Sequence, residues 1–354
     1  MSLRRCSILA LACVLPLALP GVAAAQERSE FRICWSIYVG WMPWGWAADN
    51  GIVDKWADQY GIDIEVVQIN DYIESINQYT AGGFDGCSMT NMDALTIPAV
   101  GGVDSTALII GDFSNGNDGI VSKSATGLEE LAGEPVNLVE LSVSHYLLAR
   151  GLESVGLAER DLAAVVNTSD ADLVSVFTAS PDVEHVVTWN PLLAEVAAMP
   201  GSTKLFDSSQ IPGEIIDMLV VNSEVLDANP DFGKALVGAW YETMRVMSGD
   251  DEAGIAARTA MGEASGTDLA GYEMQLGSTM MFYDPADAVA FTTSPDLALT
   301  MDRVRTFSDS HGLLEGGLDY VGIAFPDGTV LGSDSNVKLR FTAEYMAMAA
   351  EGAL

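Results

Sequence analysis

The 354-residue chain predicts an α/β fold of two doubly wound lobes, and three observations carry that reading. Short runs of β-branched and aromatic residues alternate with amphipathic stretches of about ten residues, the βαβ signature of a largely parallel sheet. A cluster of turn formers, Phe113-Ser-Asn-Gly-Asn-Asp-Gly119, interrupts the alternation, which then resumes. The length exceeds what one hydrophobic core usually serves.

The chain begins with a segment that reads as a cleavable leader. Arg4 and Arg5 form a positive region, an apolar run follows to about Leu19, and Val22-Ala-Ala-Ala25 offers the small-residue cleavage pattern. Cys13 is the residue a lipoprotein would acylate, but Ala10 stands where such a signal usually has Leu. Export into the periplasm by a signal peptide at 1–25 is the expectation.

Strands are expected at 31–39, 62–69, 84–89 and 106–111, with helices at 43–60 and 71–81 between the first three. The turn-rich segment at 113–119 then crosses to a second lobe, with strands at 136–141, 163–167 and 183–189 and helices at 144–155 and 171–178. The buried run IIDMLVVN at 215–222 returns the chain to the first lobe. The remainder is expected to be mainly helical from Asn229, where Asn-Pro-Asp opens a helix with Phe232, Leu236, Val237 and Trp240 at helical spacing, and to close with a helix at 340–350. Lobe 1 is thus 26–116 plus 217–354, and lobe 2 is 117–216.

Composition narrows the partners. The chain carries 16 basic against 50 acidic residues, net −34, and loss of the leader removes two arginines and no acid. Nucleic acid and anionic lipid are excluded as partners by charge. Past the leader only Cys34 and Cys87 remain; two buried free thiols are expected, with a disulfide as the alternative in an oxidising compartment. No Gly-x-Ser-x-Gly elbow, Walker loop or His-Glu-x-x-His is present, and His145, His185 and His311, scattered through different elements, specify no metal site. Neither a catalytic residue nor a cofactor is expected.

Ligand contacts in an open α/β sheet come from the carboxyl ends of the strands. Four tryptophans, Trp35, Trp41, Trp44 and Trp46, crowd the end of the first strand together with Ser36 and Tyr38. Of these rings, Tyr38 and Trp41 are expected to face a solute, by stacking on it. Thr90, Asn91 and Asp93 follow the third strand and suggest a polar floor, with Thr90 or Asn91 capping the next helix. Glu140, Ser142, Ser144 and His145 stand at the start of the first helix of lobe 2, with His145 read as a packed or capping residue. Trp189 and Asn190 end a lobe 2 strand, and Glu214 and Asp217 sit near the return crossing.

These segments are similar to a known family. ICWSIYVGWMPWGWAADNGIVDKWADQYGIDIEVVQINDYIESINQYTAGGFDG, NLVELSVSHYLLARGLESVGL, VVTWNPLL and FDSSQIPGEIIDMLVVN resemble solute-binding proteins of ABC importers, a group with receptors for sulfonates, taurine and thiamine precursors. The nearer resemblance is to the branch associated with urea carboxylases, whose ligand is given as urea or guanidine. It implies a type II periplasmic-binding-protein fold whose two lobes are joined by a two-strand hinge. It also implies a monomer that hands a small solute to a membrane permease and its ATPase. The group's pocket positions fall at Trp35 to Trp41, Thr90 to Asp93, Asp112 and Ser142 to His145. Asp93, Asp112 and Glu140 depart from a sulfonate cradle and suit a guanidinium, which pairs with carboxylates and stacks on indole. A sulfonate, taurine or pyrimidine-type solute, a sensory role and a same-fold enzyme are the competing readings.

Overall fold

The described residues, 28–354 of a computed structural model, form two sheets. The leader expected at 1–25 lies outside them.

The first sheet is built from β1 (Glu30–Trp35), β2 (Asp63–Gln68), β3 (Gly86–Thr90) and β4 (Ser105–Ser114). The chain then crosses and lays down β5 (Asp118–Ser122), β6 (Pro135–Leu138), β7 (Ala164–Asn167), β8 (His185–Trp189) and β9 (Thr203–Asp207) as the second sheet, in the order β7-β6-β8-β5-β9. It returns as β10 (Ile216–Asn222), which inserts antiparallel between β3 and β4. β5 plays the same part in the second sheet, antiparallel to both β8 and β9. Otherwise β2, β1 and β3 are parallel, as are β7, β6 and β8, which the alternation of strand and helix predicts.

Four local expectations are corrected. The first strand ends at Trp35 because Tyr38 and Gly40 turn over the sheet edge. The helix expected at 43–60 is two, Met42–Asp49 and Ile52–Tyr60, broken at Gly51, whose φ of 68° favours glycine. The sixth strand stops at Leu138, short of Leu141, whose φ of 65° takes it out of extended backbone. The C-terminal part is not purely helical. It adds β11 (Thr279–Met281), β12 (Gly322–Ala324), β13 (Val330–Gly332) and β14 (Val337–Phe341), so Arg340 lies in a strand and the last helix is Glu344–Glu351. Three-residue strands are too short for a period of two to register.

The expectation of free thiols is also overturned. Cys34 and Cys87 are directly opposite in the β1–β3 register, with Cα atoms 4.4 Å apart, and form a disulfide. It staples together the two strands whose ends carry the candidate site. Behind them the helix Pro230–Met247 buries Phe232 against Phe31, with ring centroids 4.4 Å apart, and Trp240 against Trp44 at 5.1 Å. Trp44 is therefore core, a large apolar area removed from water.

Candidate functional site: an acidic, aromatic-walled cavity between the sheets

Strand register assembles the site. Asp217 on β10 lies opposite Thr90 on β3 and opposite Asp112 on β4, so three polar side chains cross the first sheet in one row. Across the gap, Asp118 on β5 lies opposite Trp189 on β8. Residues far apart in sequence become neighbours because β5 and β10, the strands at the two crossings, each sit inside a sheet rather than at its edge.

The turn after β1 closes over the first row. The Tyr38 hydroxyl is 2.7 Å from Asp112 Oδ1 and 2.9 Å from Asp217 Oδ2. Gly40 makes this approach feasible, since a Cβ there would stand 2.4 Å from Asp112 Oδ2. Four rings follow one another around the cavity: Tyr38 to Trp41 at 4.9 Å, Trp41 to Tyr72 at 5.6 Å and Tyr72 to Trp189 at 5.7 Å between centroids. Thr90, Asp118 and Asp217 supply the polar lining, and Val143 and Ile215 complete it. The space left for the centre of a water molecule is ≈ 20 Å³, close to the least that holds one water. Trp189 Nε1 donates to the Ile37 carbonyl at 3.5 Å and the Val39 amide to the Asn190 carbonyl at 3.4 Å, so the two halves touch over the cavity.

Charge is the defining property of this cavity. Asp93, Asp112, Asp118 and Asp217 are all buried, and burial penalises their ionised form. Burial pushes Asp118 up to about 7, with Ser114 donating to it against that trend. Burial likewise takes Asp112 up to about 7, opposed by the Tyr38 hydroxyl. Asp217 is driven well above the usual carboxylate range, first by burial and then by the charges of Asp112 and Asp118. Asp93, one layer behind, rises to about 6 through burial although Tyr72 and Thr90 donate to it at 2.6 and 2.8 Å. Asp93 Oδ1, Asp112 Oδ2 and Trp41 Nε1 are buried with no hydrogen-bond partner. Among the described residues no Lys, Arg or His lines the cavity. The arrangement stores negative charge that a cation, or protons, must neutralise.

The residues singled out in the sequence divide as follows. Tyr38, Trp41 and Trp189 line the cavity. Asp93 and Asp112 stand behind it and hold Tyr72 and Tyr38 by hydrogen bonds. The others are placed elsewhere. Trp35 packs its ring where a Cβ on Gly45 would be 2.6 Å away, and Ser36 is buried outside the lining. Asn91 spends its amide on the Glu214 carbonyl and the Ile216 N–H, each at 3.1 Å. Ser142 caps its helix, and Ser144 is buried there without a hydroxyl partner. Glu140 is exposed, because the left-handed Leu141 turns the chain outward there. His145 points to the opposite side of its helix, towards Glu159. Asn190 bonds Ser278 and the Ala194 N–H. Glu214 is held by Tyr146, Arg150 and Arg303. Sequence reasoning did not single out Tyr72, Asp118, Val143 or Ile215. Asp118 sat within the turn-forming cluster, and Tyr72 fell inside the helix expected at 71–81 with nothing to mark it.

No protein-family profile matches the chain, and no curated protein matches it in sequence. Solved structures do match in shape. The alkanesulfonate-binding protein SsuA of Xanthomonas axonopodis pv. citri, bound to MOPS, has a TM-score of 0.66 at 15% identity, over 82% of this chain and 96% of that one. The periplasmic aliphatic sulphonate binding protein SsuA of Escherichia coli has a TM-score of 0.65 at 17% identity, covering 80% and 94%. The periplasmic nitrate-binding protein NrtA of Synechocystis PCC 6803 has a TM-score of 0.58 at 13% identity, covering 93% and 99%. The chain thus has the α/β fold of the periplasmic binding proteins, with two sheets and the cavity between them.

Proposed function

We propose that this protein is an exported solute receptor of an ABC importer that closes its two lobes around a small nitrogen cation, with guanidinium as the leading candidate. The observation that supports it is the cavity wall: aromatic faces with Asp118 and Asp217, and no basic side chain among the described lining residues. A planar cation pairs with the carboxylates and stacks on Trp41 or Trp189, each cation–ring contact contributing about 0.5–2 kcal/mol. In this reading lobe 1 (26–116 plus 217–354) and lobe 2 (117–216) move as units. Closure is a population shift driven by contacts made to both lobes at once. In the same reading the protein is a monomer that delivers its solute to a membrane permease and its ATPase.

The second reading, a sulfonate or nitrate receptor, draws on the names of those relatives. It requires both carboxylates to be neutral. The two readings therefore differ in the sign of their pH dependence: cation affinity falls with acid, and anion affinity rises. Calorimetric titration of guanidinium, urea, taurine, an alkylsulfonate and nitrate at pH 5.5 and 8 decides between them. Tight sulfonate binding at pH 8 with no response to guanidinium sinks the cation assignment.

A further inference from the structure

A second constellation, unrelated to the solute cavity, spans the two halves on the far side of the helix Val143–Ser154. His145 on that helix, Glu159 at the start of the short turn Glu159–Asp161, and His311 at the end of the helix Pro295–Ser310 bring their donor atoms within 4.8 Å of one another. His311 Nε2 is 2.9 Å from Glu159 Oε1, and His145 Nε2 is 3.1 Å from Oε2. We propose that His145, Glu159 and His311 form a binding site for a Zn²⁺-class ion that fastens the two halves together.

His311 is already oriented as a ligand, its Nδ1 lying 2.8 Å from the Phe307 carbonyl. That is the outer-shell partner a metal-binding imidazole usually has, and it leaves Nε2 for the ion. His145 supplies the independent observation. Its Nδ1 accepts the Leu141 N–H at 3.1 Å, which puts the ring proton on Nε2. Nε2 is buried and its one polar neighbour is the Glu159 carboxylate at 3.1 Å, with no hydrogen bond of good geometry between them. An ion placed between the ring and Glu159 replaces that proton, the imidazole carries its proton on Nδ1 instead, and the Leu141 N–H turns away. Leu141 is the one non-glycine with positive φ among the described residues, so the segment that must yield is the strained one.

Two imidazoles and one carboxylate suit Zn²⁺ or its first-row neighbours and not Mg²⁺ or Ca²⁺, which take oxygen ligands. The cations of the same crevice are matched by carboxylates, Arg150 pairing with Glu153 and Glu214 and Arg303 with Glu214, so two acids offset their two charges beside the site. One ligand set reaches across the halves: His145 and Glu159 come with the second sheet, while the helix before His311 contacts Asn91 through Met301.

The test is titration of the EDTA-stripped protein, without solute, with ZnCl₂. The expected result is one saturable site, a raised melting temperature, weaker uptake as pH falls, and no response to MgCl₂ at the same concentration. His311→Ala and Glu159→Gln are each expected to weaken Zn²⁺ binding at least tenfold. His311→Gln keeps a hydrogen-bonding group at the helix end, so its metal-free melting should match the parent while its Zn²⁺ response is lost. Absence of a saturable site, or Zn²⁺ binding unchanged in His311→Gln, overturns the proposal.

Discussion

The Tyr38 hydroxyl stands 2.7 Å from Asp112 and 2.9 Å from Asp217, so one phenolic proton serves two buried carboxylates. Removing it leaves both without their shared donor. Tyr38→Phe is expected to cost about 1–3 kcal/mol of stability, visible as a lower urea midpoint with an unchanged slope. An unaltered midpoint would show that the carboxylates are satisfied in some other way.

Stability should decline as pH rises from about 5 to about 7. Burial raises Asp93 to about 6, Asp112 and Asp118 to about 7, and Asp217 well above the 3.8 of a free aspartate. Over that interval the folded state holds more protons than the unfolded one, and each proton lost on raising the pH disfavours folding. Burial lowers His185, which acts in the opposite direction, but it is one group against five, since burial also raises Asp170 to about 6. Carboxylates lowered by ion pairs, such as Glu214, contribute only at more acidic pH. Thermal melting of the solute-free protein at pH 5, 6, 7 and 8 checks the sign; a rising melting temperature contradicts it.

Guanidinium affinity should move the other way. A cation displaces protons from Asp118 and Asp217, so affinity climbs by roughly tenfold per pH unit for each proton released, with the Asp118 contribution flattening above about pH 7. Calorimetry in buffers of different ionisation enthalpy counts those protons directly.

Neutralising one acid separates stability from binding. Asp118→Asn removes a buried charge while keeping a side chain beside Ser114, which lies 2.5 Å from the native carboxylate. It is expected to raise the melting temperature at pH 8 and to weaken guanidinium binding at least tenfold, about 1.4 kcal/mol or more. Unchanged affinity would place the solute elsewhere.

The disulfide gives a fifth prediction. Cys34 and Cys87 are 53 positions apart, and cross-linking a loop of that size stabilises by about 4 kcal/mol in the chain-entropy account. The double variant Cys34→Ala, Cys87→Ala should lose much of that amount in a urea melt. A loss under about 1 kcal/mol would mean the unfolded chain is already compact near this loop.

What the sequence disclosed followed its short-range patterns. The aromatic turn with Tyr38 and Trp41, and the strand ending in Trp189, were visible because strand ends and ring clusters are local features. The row Thr90, Asp217, Asp112 was not, because it depends on β10 entering between β3 and β4, a pairing no spacing announces. His145 and His311 looked unrelated for the same reason. Their meeting, at 5.1 Å between ring centroids, depends on the helix Pro295–Ser310 packing Phe307 against Tyr146 of the helix Val143–Ser154. Glu140 misled because a polar residue near a strand end looks inward-facing until the left-handed Leu141 turns the backbone.

Under the proposed closure, the contacts that Trp189 and Asn190 make with the turn after β1 must break before a guest is exchanged. Arrival and departure then both wait for the halves to part. Observed capture rates should therefore level off at high solute concentration, at the value of that unimolecular opening step.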